Sequence, residues 1–146
     1  MYEAKRRLAD TISIGLSGAI NYVNKIADFA SKSGKGDSTI WGTDLKTNVA
    51  SASIANGTMT FHMELDDVHR SSHTHPGISV IPVALAVCED YNLNGKQLFK
   101  AIAPGYDLVL KLENQSVLRY TFFVLIKFLL PLVFLVQLPQ LVNFLI

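Results

Sequence analysis

The chain has 146 residues, enough for one ordinary domain with a single core, and carries a net charge of +1 with a sequence pI near 7.9. That balance excludes a broad basic surface for nucleic acid and an acidic tail for a basic partner. One cysteine, Cys88, excludes an internal disulfide and reads as a small buried apolar residue in a reducing, cytoplasmic compartment.

The start, Met1-Tyr2-Glu3-Ala4-Lys5-Arg6-Arg7, is basic, but no long apolar run precedes Asp10, so a cleaved secretion signal is not expected. Leu8, Ile12 and Leu16 at spacing four predict an amphipathic helix over residues 3–17, closed by Gly15 and Gly18. Ile20, Val23, Ile26, Ala27 and Ala30 repeat the pattern over residues 19–31. Residues 31–38 are a loop by composition. Their Gly34-Lys35-Gly36 resembles a phosphate-binding loop only superficially, because no Gly-Lys-Ser/Thr ending follows a buried strand.

Residues 45–61 are rich in small side chains (Ala50, Ser51, Ala52, Ser53, Ala55, Gly57), the signature of a central helix that neighbours approach closely. After the break at His75-Pro76-Gly77, residues Ile78 to Asp90 resume as an apolar helix that Pro82 opens or kinks. Asn94 caps a further helix with Leu98, Ile102 and Leu108 on its apolar side, bent at Pro104-Gly105. No strand alternation, internal repeat or heptad array is present, so the predicted class is all-α.

The composition changes sharply near residue 113. Every acidic residue lies at or before Glu113, and from Val117 to Ile146 22 of the 30 residues are Val, Leu, Ile, Phe or Tyr. The expected organisation is therefore a helical domain over residues 1–112 and a divergent apolar tail over 113–146. A shift of reading frame is the expected origin of the tail. The alternatives are a membrane segment, for which it is long enough but interrupted by Lys127, Pro131 and Pro139, and a buried core helix. Membrane contact is expected only through residues 117–146.

All four histidines fall within fourteen residues, in Phe61-His62-Met63-Glu64-Leu65-Asp66-Asp67-Val68-His69-Arg70-Ser71-Ser72-His73-Thr74-His75-Pro76-Gly77. Histidine titrates nearest neutral pH, and a neighbouring carboxylate orients it. An acid/base role for His75 or His69, with Glu64 or Asp66 as partner, is the leading reading. His69, His73 and His75 with Asp66 or Asp67 form only a weak zinc pattern: no His-Glu-x-x-His occurs and Pro76 interrupts helical presentation, so no metal is expected. His62 is expected to be a core histidine satisfied by the backbone; the plainer alternatives elsewhere are solvated carboxylates at a helix end for Asp66 and Asp67, and a surface salt bridge from Arg70 to one of them.

Five segments stand in order: Ala55-Asn56-Gly57-Thr58; Glu64-Leu65-Asp66-Asp67-Val68-His69-Arg70; His75-Pro76-Gly77; Val80-Ile81-Pro82-Val83-Ala84-Leu85-Ala86; and Ala101-Ile102-Ala103-Pro104-Gly105-Tyr106-Asp107. With Leu8-Ala9-Asp10-Thr11 at the start, the series closely resembles the helical N-terminal domain of the MmgE/PrpD family, relatives of 2-methylcitrate dehydratase and cis-aconitate decarboxylase. The resemblance covers about residues 3–112. It implies a cytoplasmic or mitochondrial, typically homodimeric enzyme without cofactor or metal. Such an enzyme moves a proton next to a carboxylate of small di- and tricarboxylates, with loss of water, loss of carbon dioxide or epimerisation as outcomes.

On this resemblance His75 matches the family's His-Pro histidine, and Asp66 and Asp67 match its paired aspartates. Glu64 stands where the family has aspartate, and Val68 where decarboxylase-like members have threonine. The expected catalytic residues are His75, Glu64, Asp66 and His69; Arg70 and Asp67 are expected to bind the substrate, arginine offering a planar fork of donors to a carboxylate. Full-length relatives carry a second α+β domain that closes the site with lysines and a further histidine. The expected activity is lyase-like, with little or no turnover from this chain alone. An epimerase, a decarboxylase, a non-catalytic remnant and a small membrane-associated protein are the alternatives.

Overall fold

The structure, a computed structural model, describes residues 2–115. Its elements in order are α1 (Tyr2–Lys32), β1 (Ser38–Thr39), β2 (Lys46–Thr47), α2 (Val49–His62), α3 (Pro76–Asp90) and α4 (Gly95–Gln115). The strands form a two-rung antiparallel ladder, Ser38 opposite Thr47 and Thr39 opposite Lys46, which clips the loop after α1 and leaves the all-α class intact. No helix among the described residues is long and apolar enough to cross a membrane. The readings made for the tail fall on residues 116–146, outside the described residues; Glu113–Gln115 end α4.

Where two helices were expected, α1 runs unbroken for 31 residues. Gly15 and Gly18 do not stop it, because neither adopts the left-handed conformation of a helix terminator. Both let another element come close. A Cβ on Gly18 would fall onto the Met59 carbonyl of α2, and one on Gly15 would lie 2.6 Å from the Trp41 ring. The contact face of α1 thus passes through Thr11, Gly15, Gly18 and Ala19. Leu16 and Ile20, placed on the apolar side by their spacing, are instead exposed.

The small residues of α2 do what their composition predicts: Ser51, Ala52, Ser53, Ala55, Asn56, Met59 and Thr60 are buried between α1 and α3. Asn48 caps α2 by accepting from the Ser51 N–H at 2.9 Å, and its own amide donates to the Ser33 carbonyl. The Asn56 side chain accepts from the Trp41 N–H and donates to the Thr39 carbonyl, both at 2.9 Å, fixing the loop over the helix.

Pro76 opens α3 at its first position, two residues earlier than expected, where a missing N–H costs nothing. Pro82 sits inside α3, fully buried, and neither opens it nor ends it. Proline cannot donate to the carbonyl four residues back, that of Ile78. This carbonyl lies 2.9 Å from where a Gly57 Cβ would be, so α2 covers it closely. Asn94 and Gln97 form a reciprocal cap at the start of α4. That helix is described as one element through Pro104. Ile40, Trp41, Met59, Ile81, Leu98 and Ile102 form the main core, and Leu108 packs against Val83 and Val87. Cys88 is half-buried rather than buried.

Candidate active site

The histidine-acid cluster occupies the loop between α2 and α3. His62 ends α2 and is exposed, not a core histidine. The chain then turns at Glu64, whose φ of 49° is left-handed. From there Leu65 and Val68 point outward, 67% and 60% exposed, while Asp66 and Asp67 between them point inward. A single bridge, His69 opposite Thr74, closes a tight turn over residues 70–73 with His73 at φ 53°. His75 is the residue before α3 and makes no side-chain cap of its own, so its ring is available elsewhere.

That ring meets Asp66. His75 Nδ1 lies 2.7 Å from Asp66 Oδ2, with the Asp66 side chain 2% exposed and that of His75 20% exposed. The Phe61 ring stands edge-on to the imidazole, centroids 6.1 Å apart and planes at 88°. Burial pushes the Asp66 carboxyl up, opposed by the attraction of His75. Asp66 Oδ1 is buried and makes no hydrogen bond among the described residues. In its ionised form a carboxylate only accepts, so the contact places the ring proton on Nδ1 and leaves the lone pair on Nε2. A buried carboxylate behind a partly open imidazole can orient the ring for proton transfer.

Asp67 faces a different set of groups. Its Oδ1 accepts from the Gly77 N–H at 2.8 Å, and its Oδ2 accepts from Arg7 Nη1 and from the Tyr106 hydroxyl, each at 3.0 Å. Arg7 also donates to Glu3 and stacks over the Tyr106 ring at 5.9 Å. The two aspartates are therefore not solvated carboxylates at a helix end, and the arginine on Asp67 is Arg7, not Arg70.

Of the six residues expected in the site, the structure brings Asp66 and His75 into direct contact. Asp67 adjoins them with its carboxylate engaged by three donors. His69 Nδ1 is hydrogen-bonded to the Ser72 hydroxyl at 2.7 Å, apart from the His75 pair. Glu64 and Arg70 are exposed on the loop. Among the described residues no three His, Cys, Asp or Glu side chains converge to hold a metal ion. The sequence pattern assigns no role to Arg7, Phe61 or Tyr106. Tyr106 lies in one of the five ordered segments, which was a usable signal, whereas Arg7 offered only its place in a basic start.

The sequence model of the MmgE/PrpD N-terminal domain matches residues 1–123. No curated protein and no solved structure matches.

Proposed function

The chain belongs to the MmgE/PrpD family, and on that footing we propose that it supplies the His75–Asp66 part of a lyase site for small di- and tricarboxylates such as 2-methylcitrate. The observation that supports this most is the 2.7 Å contact between a buried carboxylate and a partly exposed imidazole. With Nδ1–H held by Asp66, Nε2 of His75 takes the proton from the carbon next to a substrate carboxylate. The positive charge that develops on the ring faces the Asp66 carboxylate, so it is stabilised as the proton arrives. The electron pair of that C–H bond forms the double bond as the β-hydroxyl leaves, and the proton held on Nε2 passes to the departing hydroxyl, releasing water and the unsaturated acid. Arg70, exposed on the same loop, and His69 would help hold a substrate carboxylate.

Epimerisation in the same site is the nearer alternative, since it needs the same proton abstraction without a leaving group. Val68 bears on the choice: decarboxylase-like members of the family carry a threonine there, and this side chain has no hydroxyl. The reading includes a cytoplasmic setting and a homodimer.

The test is incubation of the purified chain with 2-methylcitrate, alone and with a separately expressed second domain of a family member, following the unsaturated product by its absorbance. The expected result is product in the combined sample and its loss in His75→Ala. Product formation that survives His75→Ala would overturn the assignment.

A further inference from the structure

Asp66 and Asp67 are adjacent in sequence and hold different things: one the ring of His75, the other the start of the helix that follows His75. The first N–H groups of a helix have no partner within it. Here the residue before α3 is His75, which makes no side-chain cap, and Asp67 accepts from the Gly77 N–H from across the loop. A Cβ on Gly77 would lie 2.6 Å from Asp67 Oδ1 and 3.1 Å from the Thr11 and Tyr106 hydroxyls, so a side chain there would displace the groups around Asp67. Asp67 is itself held by two elements distant in sequence, Arg7 on α1 and Tyr106 on α4. Burial and the neighbouring Asp67 push the Tyr106 hydroxyl up, so it stays a donor throughout the range where histidine titrates.

We infer that Arg7 and Tyr106 are positioning residues for His75, acting through Asp67. By engaging Asp67 Oδ2 they keep that carboxylate on the Gly77 N–H and away from the imidazole. His75 then has Asp66 as its sole carboxylate partner among the described residues, and one ring tautomer is selected. If Asp67 were released, two carboxylates next to one another would compete for the same ring. This inference rests on the reading of His75 as the working acid/base and adds two residues from outside the loop to it.

The measurement is two-bond nitrogen–proton NMR of the full chain labelled at histidine, with the His75 signals assigned by their loss in His75→Asn. It reports which ring nitrogen carries the proton and needs no turnover. The native chain is expected to show the single Nδ1–H form, and Tyr106→Phe to replace it with a mixed pattern while circular dichroism keeps its helical signal. Should Tyr106→Phe fail to fold, Arg7→Gln provides the same test at a side chain that is 34% exposed, with Arg7→Lys expected to restore the native pattern. A lowered melting temperature with an unchanged His75 pattern in the folded variants would overturn the inference, reducing Arg7 and Tyr106 to fold contacts. A native chain that lacks the Nδ1–H form would instead overturn the acid/base reading, whatever the variants do.

Discussion

The backbone of α1 at Gly18 lies directly against the Met59 carbonyl of α2, with no room for a methyl group between them. The two helices thus meet backbone to backbone at the point where sequence pattern alone reads the end of a helix. Gly18→Ala should cost about 3 kcal/mol, at the upper end of the overpacking range, because a backbone carbonyl cannot step aside as a side-chain tip does. Urea unfolding of the purified variant measures this. Gly95→Ala is the matched control: nothing lies within 4 Å of its Cβ position. It should raise stability by about 0.5 kcal/mol through the unfolded chain.

Asn56 is 1% exposed and satisfies one backbone donor and one backbone acceptor of the preceding loop. Asn56→Ala strands the Trp41 N–H and the Thr39 carbonyl, for a loss of about 3 kcal/mol by denaturant titration. Asn56→Asp should be at least as damaging above the range where a carboxyl ionises, since aspartate accepts from Trp41 but has nothing to donate to Thr39.

Asp66→Asn separates stability from chemistry. Burial raises the Asp66 carboxyl above its ordinary value, which means that the folded state holds that proton more tightly than the unfolded chain does. The stabilisation from protonated Asp66 is complete below the ordinary carboxyl value and is lost as pH rises through the raised folded value. The native chain should therefore fall behind Asp66→Asn in melting temperature on that climb and stay behind at neutral pH. The His75 tautomer preference should meanwhile disappear. A variant that is less stable than the native chain at every pH would contradict the prediction.

Asp67→Ala should be more damaging to the fold than Asp66→Asn. It leaves Arg7, the Tyr106 hydroxyl and the Gly77 N–H without their shared acceptor. Because Arg7 is one-third exposed and retains Glu3, the expected loss is about 2–3 kcal/mol, below that of a fully buried broken pair. Equilibrium unfolding of the two variants side by side decides the order.

Composition and spacing were enough to place α2 as the tightly packed central helix, since Ala52, Ala55 and Gly57 leave neighbours no side chains to meet. Capping chemistry likewise placed the start of α4 at Asn94. The glycines of α1 misled because their local effect, ending a helix, and their tertiary effect, admitting a neighbouring carbonyl, look identical in a string of letters. The same limit applied at the site. Sequence identified the loop and His75, but left open whether Glu64 or Asp66 partners the ring, and it could not say what Asp67 holds. The groups on Asp67, Tyr106 and Arg7, stand 39 and 60 residues from it along the chain. His62 shows the converse: its neighbours are apolar, yet the helix ends there and the side chain faces out.

Arg7 lies near the beginning of α1, where Glu3 steadies it, and where helices fray first. Tags, protease scars and trimmed codons commonly alter this end of an expressed protein. In this chain such an edit disturbs more than a dispensable turn of helix. By loosening Arg7 it reaches an imidazole in the α2–α3 loop, so the choice of affinity handle is itself a variable in any measurement of His75. A handle at the opposite terminus, compared with one at the start, would reveal this before any residue is mutated.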